Sequence, residues 1–190
     1  MASAIRTTWV TLMTTTTLLA ILLLALFASN TEASSTKNWK VVKETNLVFF
    51  MQDYETGKNF SAIPVAGVNG TKSGVLGFGT VMVIDDALTE GIEKHSKQVG
   101  RAQGMYVNSA LDGSDLHFLL SVVFTDEKYN GSTLEIQGAN RFFLKQREVS
   151  VVSGTGYFRF ARGFAILETV VLDIPNLNAV LKINVTVLHY

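Results

Sequence analysis

The sequence predicts an all-β domain, closed as a barrel or stacked as a sandwich with a partner. Seven segments rich in β-branched and aromatic residues follow one another, separated by turn residues. No long helical period with caps appears among them, and the whole chain of 190 residues has only two prolines, Pro64 and Pro175. The third observation is that at least one segment is apolar on both faces, so its sheet must bury something on each side.

In order, the segments are LVFFMQD (47–53), VLGFGTVMVID (75–85), VGRAQGMYVNSA (99–110), LHFLLSVVFTD (116–126), STLEIQG (132–138), REVSVVS (147–153) and AVLKINVTVLHY (179–190). Asn130-Gly131 separates two of them and is a hairpin signal, because both turn positions tolerate positive φ. Asn69-Gly70 and Asp112-Gly113 are similar. Along 75–85 one face carries Val75, Gly77, Gly79, Val81 and Val83, the other Leu76, Phe78, Thr80, Met82 and Ile84. The glycines at 74, 77 and 79 suit the sharp coiling that barrel closure needs. Along the last segment Asn184, Thr186 and Leu188 share a face, which must meet solvent if the Asn184 sequon is used.

The N-terminus is read apart from the domain. Arg6 precedes an apolar run, Leu18 to Ala28, followed by small and polar residues with candidate cleavage after Ala28 or Ala33. That is the pattern of a secretory signal peptide. A membrane anchor is the rival, but a spanning helix needs ~20 apolar residues, and the run is padded by Thr14 to Thr17. Residues 1–33 are therefore assigned to the leader and 34–190 to one domain, long enough for a proper core.

Composition narrows the function classes. Sixteen basic residues balance sixteen acidic ones, so no nucleic-acid partner is expected, and no membrane partner once the leader is removed. Cysteine is absent, which rules out a disulfide scaffold, a thiol nucleophile and thiolate-held metal. Four Asn-x-Ser/Thr sequons, at Asn59, Asn69, Asn130 and Asn184, agree with export to the extracellular space.

The usual catalytic patterns are missing. Gly-Thr-Gly at 154–156 lacks the third glycine and the following helix of a dinucleotide loop, so it turns a corner. His95, His117 and His189 have no ligand-like spacing, and Asp85-Asp86 reads as a loop-capping pair, so no metal and no cofactor are expected. There is no Gly-x-Ser-x-Gly elbow. What remains is a few polar groups on apolar strands. Asp53 ends the first segment. Tyr106 shares a face with Ala102 and Gly104, which leave room beside a phenol, and Arg147 shares a face with Val149 and Val151. Singly they read as rim residues. Together in one lumen they would make a concave apolar site with convergent polar groups.

At these residues the sequence resembles the plant dirigent family. The matching blocks are LVFFMQDYETGKN, FGTVMVIDDALTEG, SKQVGRAQGMY, NGSTLEIQGAN and REVSVVSGTGYFRFARGFA, spread across the mature chain. The resemblance implies an eight-stranded antiparallel β-barrel, assembled as a homotrimer and secreted to the apoplast. It implies a phenolic substrate such as coniferyl alcohol, with an external laccase or peroxidase as the radical source. In lignan-type biosynthesis such a protein makes phenoxy radical coupling stereoselective and oxidises nothing itself. Other members, similar to pterocarpan synthases, eliminate water from an isoflavanol through a quinone methide.

Carried over by motif, the family's pocket residues fall on Asp53, Tyr106, Asn140 and Arg147. The first, second and fourth are the expected catalytic groups, and Asn140 a substrate-binding one. Asn140 stands where pinoresinol-forming members have a second aspartate, Gln52 where a histidine often precedes the first, and Ala87 where proline is usual; the disulfide of that group is missing. An amide takes no proton from a phenol, which points away from pinoresinol as product. A stereochemical guide, a lyase acting through a quinone methide and a simple phenol carrier are the three functional classes left. Arg159 and Arg162 are read on opposite faces of one strand, so that at most one points inward.

Overall fold

The computed structural model describes residues 42–68 and 74–190; the leader and the Asn69 sequon, with its Asn-Gly turn, lie outside them. Among the described residues nine strands form: β1 (Lys43–Tyr54), β2 (Ala62–Ala66), β3 (Val81–Thr89), β4 (Gln98–Asn108), β5 (Leu116–Phe124), β6 (Thr133–Asn140), β7 (Arg147–Thr155), β8 (Arg162–Asp173) and β9 (Asn178–His189). Eight of them pair antiparallel around a ring, in the order β1-β9-β8-β7-β6-β5-β4-β3, and β3 returns to β1. This is the closed eight-stranded barrel that the family resemblance implies. The ninth, β2, is an extra edge strand on β3, and Pro64 suits it, since an edge position asks for no ladder donor.

The seam is short. β1 pairs with β9 along twelve residue pairs, from Lys43–His189 to Tyr54–Asn178. It meets β3 only through Phe50–Thr89, Met51–Leu88 and Gln52–Ala87, because β2 occupies the rest of that β3 edge.

Three sequence expectations are corrected. Residues 75–79 are turns, not the first half of a strand; the buried Asn108 amide holds this loop by donating to the Val75 and Gly113 carbonyls. Strands β2 and β8 were not among the seven segments. Arg159 and Arg162 do not share a strand: Gly156–Phe158 forms a 3-10 turn, Phe160 sits at φ 64°, and both arginines are exposed. Gly-Thr-Gly does turn a corner. Gly156 has φ +58°, and a Cβ on Gly154 would come within 2.5 Å of the Phe158 carbonyl oxygen.

Alternation sends one set of side chains inward. Phe49 and Met51 of β1, Met82, Ile84 and Leu88 of β3, Phe118 of β5, Leu134 of β6, Leu167 of β8 and Ile183 of β9 are all buried. One end of the barrel is filled by aromatics. Phe158 packs 4.9 Å from Tyr129, 5.3 Å from Phe124 and 5.3 Å from His189, centroid to centroid. Outside, Ile63, Val83, Met105 and Leu119 are exposed and lie side by side across β2, β3, β4 and β5. Among the described residues no helix is long and apolar enough to cross a membrane.

Removing the plug tests this division. Phe158→Ala is expected to cost ~3–5 kcal/mol of stability, as large aromatic truncations in close-packed interiors do, measured by urea unfolding.

Candidate functional site

The barrel end opposite the plug is hollow. A cavity of about 140 Å³ lies there, lined by Asp53, Tyr106, Asn140 and Arg147 together with Phe118, Thr169, Leu181 and the loop residues Leu76, Phe142 and Phe143. All four residues singled out from the sequence therefore face one space. Each stands near the end of its strand: Asp53 at the end of β1, Tyr106 near the end of β4, Asn140 closing β6 and Arg147 opening β7.

Asp53 follows Phe49 and Met51 on the inward face of β1. Its Oδ2 accepts from the Tyr106 hydroxyl at 3.4 Å, and its Oδ1 is shielded from solvent with no partner. Burial pushes its carboxyl from 3.8 up to about 7, against the pull of the Tyr106 hydrogen bond. Burial, with Asp53 second, likewise raises the Tyr106 phenol well above its usual range, so it remains a neutral donor.

Tyr106 is only 1% exposed and packs 5.9 Å from the Phe118 ring. The small neighbours have a sharper purpose than leaving room. Gly104 adopts φ +147°, and a Cβ there would stand 2.2 Å from the Leu119 carbonyl oxygen, so only glycine lets β4 lie this close to β5.

The guanidinium occupies the facing strands and is 4% exposed. Nε donates to Asn140 Oδ1 at 2.8 Å, one terminal nitrogen to Thr169 Oγ1 at 3.0 Å and the other to the Leu144 carbonyl at 3.5 Å. Every partner is neutral. Burial lowers the Arg147 pKa, yet an arginine stays protonated in a protein. The result is a buried cation whose charge no contacting carboxylate among the described residues cancels.

Sequence reasoning missed three groups here. Thr169 enters because β8 bulges: Val180 pairs with Val171 but Leu181 with Thr169, leaving Val170 unpaired. Thr169 and Leu172, three residues apart, thus both line the cavity. Simple alternation excludes that. Glu55 reaches the mouth two residues beyond Asp53, its carboxyl raised to about 7 by burial and then by Asp53. The third is Asp86. Read as a loop cap, it lies mid-strand and is 0% exposed, with Oδ1 2.5 Å from Ser61 Oγ and Oδ2 without a partner. Its neighbour Asp85 points outward and pairs with Arg101. Period-two spacing of Met82, Ile84, Asp86 and Leu88 was the available signal.

The remaining polar expectations divide by position. No cluster of three or more His, Asp or Glu able to hold a metal occurs among the described residues. Asn59 and Asn130 are exposed in turns, whereas Asn184 is half-buried on the outward face of β9.

A closed antiparallel barrel with an acid, a phenol and a guanidinium around an apolar end-cavity belongs to the class of lumenal small-molecule sites. Residues 44–188 match the sequence model of the family described as Dirigent-like protein, and the chain belongs to that family. It is 41% identical over 173 residues to dirigent protein 1 of Arabidopsis thaliana, covering 90% of this chain and 93% of that one. It is 40% identical over 147 residues to pterocarpan synthase 1 of Glycine max, covering 77% and 79% respectively. The solved structure of the pterocarpan synthase dirigent protein GePTS1 superposes with a TM-score of 0.75 at 38% identity, over 80% of this chain and 87% of its own. A second such structure, PsPTS1, gives 0.74 at 40% identity over 78% and 96%.

The Asp53 environment makes a stability prediction. Between 3.8 and about 7 the folded chain holds a proton that the unfolded chain has released, so this group's contribution falls as pH rises through that window. Asp53→Asn is expected to raise Tm relative to the parent above about pH 7 and to leave it nearly unchanged below 3.8. Thermal unfolding followed by circular dichroism at both ends of the window checks it.

Proposed function

We propose that the protein receives a phenolic guest in the end-cavity and dictates the stereochemical course of its quinone methide, an external laccase or peroxidase having produced the radical. The observation that carries this is the division of charge across the lumen. Asp53 and Tyr106 stand on β1 and β4, and Arg147, with only neutral partners, on the facing strands. As a nucleophilic hydroxyl adds to the methide carbon, the quinone oxygen gains negative charge and becomes a phenolate. The guanidinium stabilises that charge as it develops. Ionised Asp53 takes the proton from the attacking hydroxyl, and a carboxyl near 7 is matched to that task at neutral pH. Asn140 orients the guanidinium rather than moving protons.

The apolar wall excludes water, which would otherwise trap the electrophile without selectivity. The demand is modest: a tenfold preference for one course needs ~1.4 kcal/mol, comparable to one good hydrogen bond at ~0.5–1.5 kcal/mol. A lignan-forming coupling guide is the first form of this chemistry. A lyase eliminating water from a preformed isoflavanol is the second, and the pterocarpan synthases among its relatives favour it. Both use the same acid and guanidinium.

Export and assembly belong to the same proposal. The leader and the exposed sequons Asn59 and Asn130 suit an apoplastic glycoprotein. The row Ile63, Val83, Met105 and Leu119 suits a homotrimer contact, since a wall apolar on both faces has something to bury on each.

A chiral product assay of the mature protein against a panel of phenols and isoflavanols, with and without laccase, tests the function. Selective coupling only with laccase marks the guide, turnover without oxidant marks the lyase, and racemic or no product under both conditions rules out both. Asp53→Asn and Arg147→Ala are each expected to lower selectivity at least tenfold with circular dichroism unchanged; unaltered product ratios in both would refute the pocket. For assembly, Met105→Lys is expected to convert trimer to monomer in sedimentation velocity.

A further inference from the structure

We propose that Asp86 stands behind Asp53 as a neutral carboxylic acid and donates to it, so that two strands supply a paired carboxyl site holding one proton. This deepens the proposal of lumenal proton chemistry, since it concerns the base assigned there.

The placement follows from register. Ladder pairs run Phe50–Thr89, Met51–Leu88 and Gln52–Ala87; one step further, Asp53 falls opposite Asp86. Both lie on the inward face, Asp53 after Met51 and Asp86 before Leu88. Side chains directly opposite in an antiparallel pair have Cβ atoms about 4.5–5.5 Å apart, and like charges there repel. The pairing stops just short of this point because the chain at Ser61 wedges in, its carbonyl taking the Asp85 amide at 2.9 Å. Asp53 lines the cavity and Asp86 does not.

The surroundings decide its protonation. Asp86 is 0% exposed, and among the described residues no cation is in contact with it. Arg101 is engaged outside with Asp85, Tyr106 is a neutral phenol, Glu55 would only add repulsion, and Arg147 lies on the facing strands. A buried carboxylate so placed is expensive unless it is neutral. Burial first, then the Asp53 charge, raises its proton affinity well above the usual carboxylate range, outweighing Ser61 and Arg101.

The free carboxyl oxygens fit this arrangement. Ser61 Oγ occupies Asp86 Oδ1 at 2.5 Å. That leaves Asp86 Oδ2 and Asp53 Oδ1, both shielded and both without a partner. A proton on Asp86 Oδ2 directed to Asp53 Oδ1, straight or through one water, satisfies both. Asp53 Oδ2, beside Tyr106, is then the oxygen left to act as base. The second carboxyl that Asn140 does not provide thus comes from β3. Asp86 is a positioning residue: it keeps its own proton while Asp53 gains one from the attacking hydroxyl and returns it to the phenolate.

The test is a titration of 13Cγ-aspartate-labelled mature protein by NMR, without any guest, with Asp86→Asn used to assign the signal. One aspartate is expected to remain protonated above the Asp53 midpoint in the parent and to vanish from the spectrum of Asp86→Asn. Asp53→Asn removes a like charge and should shift the Asp86 midpoint down; Ser61→Ala removes a bond favouring the anion and should shift it up. A parent with no protonated aspartate above that midpoint, or an Asp86 midpoint indifferent to Asp53→Asn, overturns the pair. Because no guest is needed, failure here leaves the steering of phenols standing, and failure of the product assay leaves the carboxyl pair standing.

Discussion

Closure of the ring through three residue pairs is the constraint on which the site depends. Strand β3 has one edge for β4 and one for both β1 and β2. β1 uses the Ala87–Thr89 part of the shared edge and β2 the Val81–Ile84 part, so the β1–β3 ladder ends at Gln52, one residue before Asp53. Where the ladder stops, there is space for a cavity, for the Ser61 hydroxyl and for unpaired carboxyl oxygens.

Electrostatics in this space is set by what is absent from contact as much as by what is present. Arg147 has amide, hydroxyl and carbonyl partners, and Asp53 a phenol. Were Asn140 an aspartate, it would cancel the guanidinium at its nearest contact and leave less field for a guest. The amide keeps the hydrogen bond and removes the charge. The same low-polarity wall that strengthens the field from Arg147 raises the carboxyl of Asp53 to about 7, because burial disfavours the charged form. The strong field of Arg147 and the raised proton affinity of Asp53 thus share one cause.

The two barrel ends divide labour. Phe124, Tyr129, Phe158 and His189 pack edge and face at one end, giving rigidity to strands whose other ends hold the site. At the open end the exposed Leu76, Phe143 and Leu172 rim an apolar entrance to the cavity. Gly104 shows how tightly the frame is drawn, since its missing side chain is the clearance between β4 and β5 beside Tyr106.

The sequence by itself determined the strand-rich class, six of the nine described strands to within a few residues at most ends, and which neighbours share a face with Tyr106 and with Arg147. Period-two alternation and Asn-Gly turns are local, so they survive in one dimension. Resemblance in five blocks added ring closure and Asn140. Tertiary structure alone decided the rest. β2 is too short and carries Pro64, so nothing in its composition marks it as a strand. The Val170 bulge flips parity in β8 and brings Thr169 to Arg147. Residues 75–79 look extended by composition, yet the Asn108 amide captures them as turns. Asp86 is a loop residue if β3 stops at 85 and a lumenal acid if it runs to 89, and that length is set by which strands compete for its edge. Such competition is a property of the closed ring, and no local segment contains it.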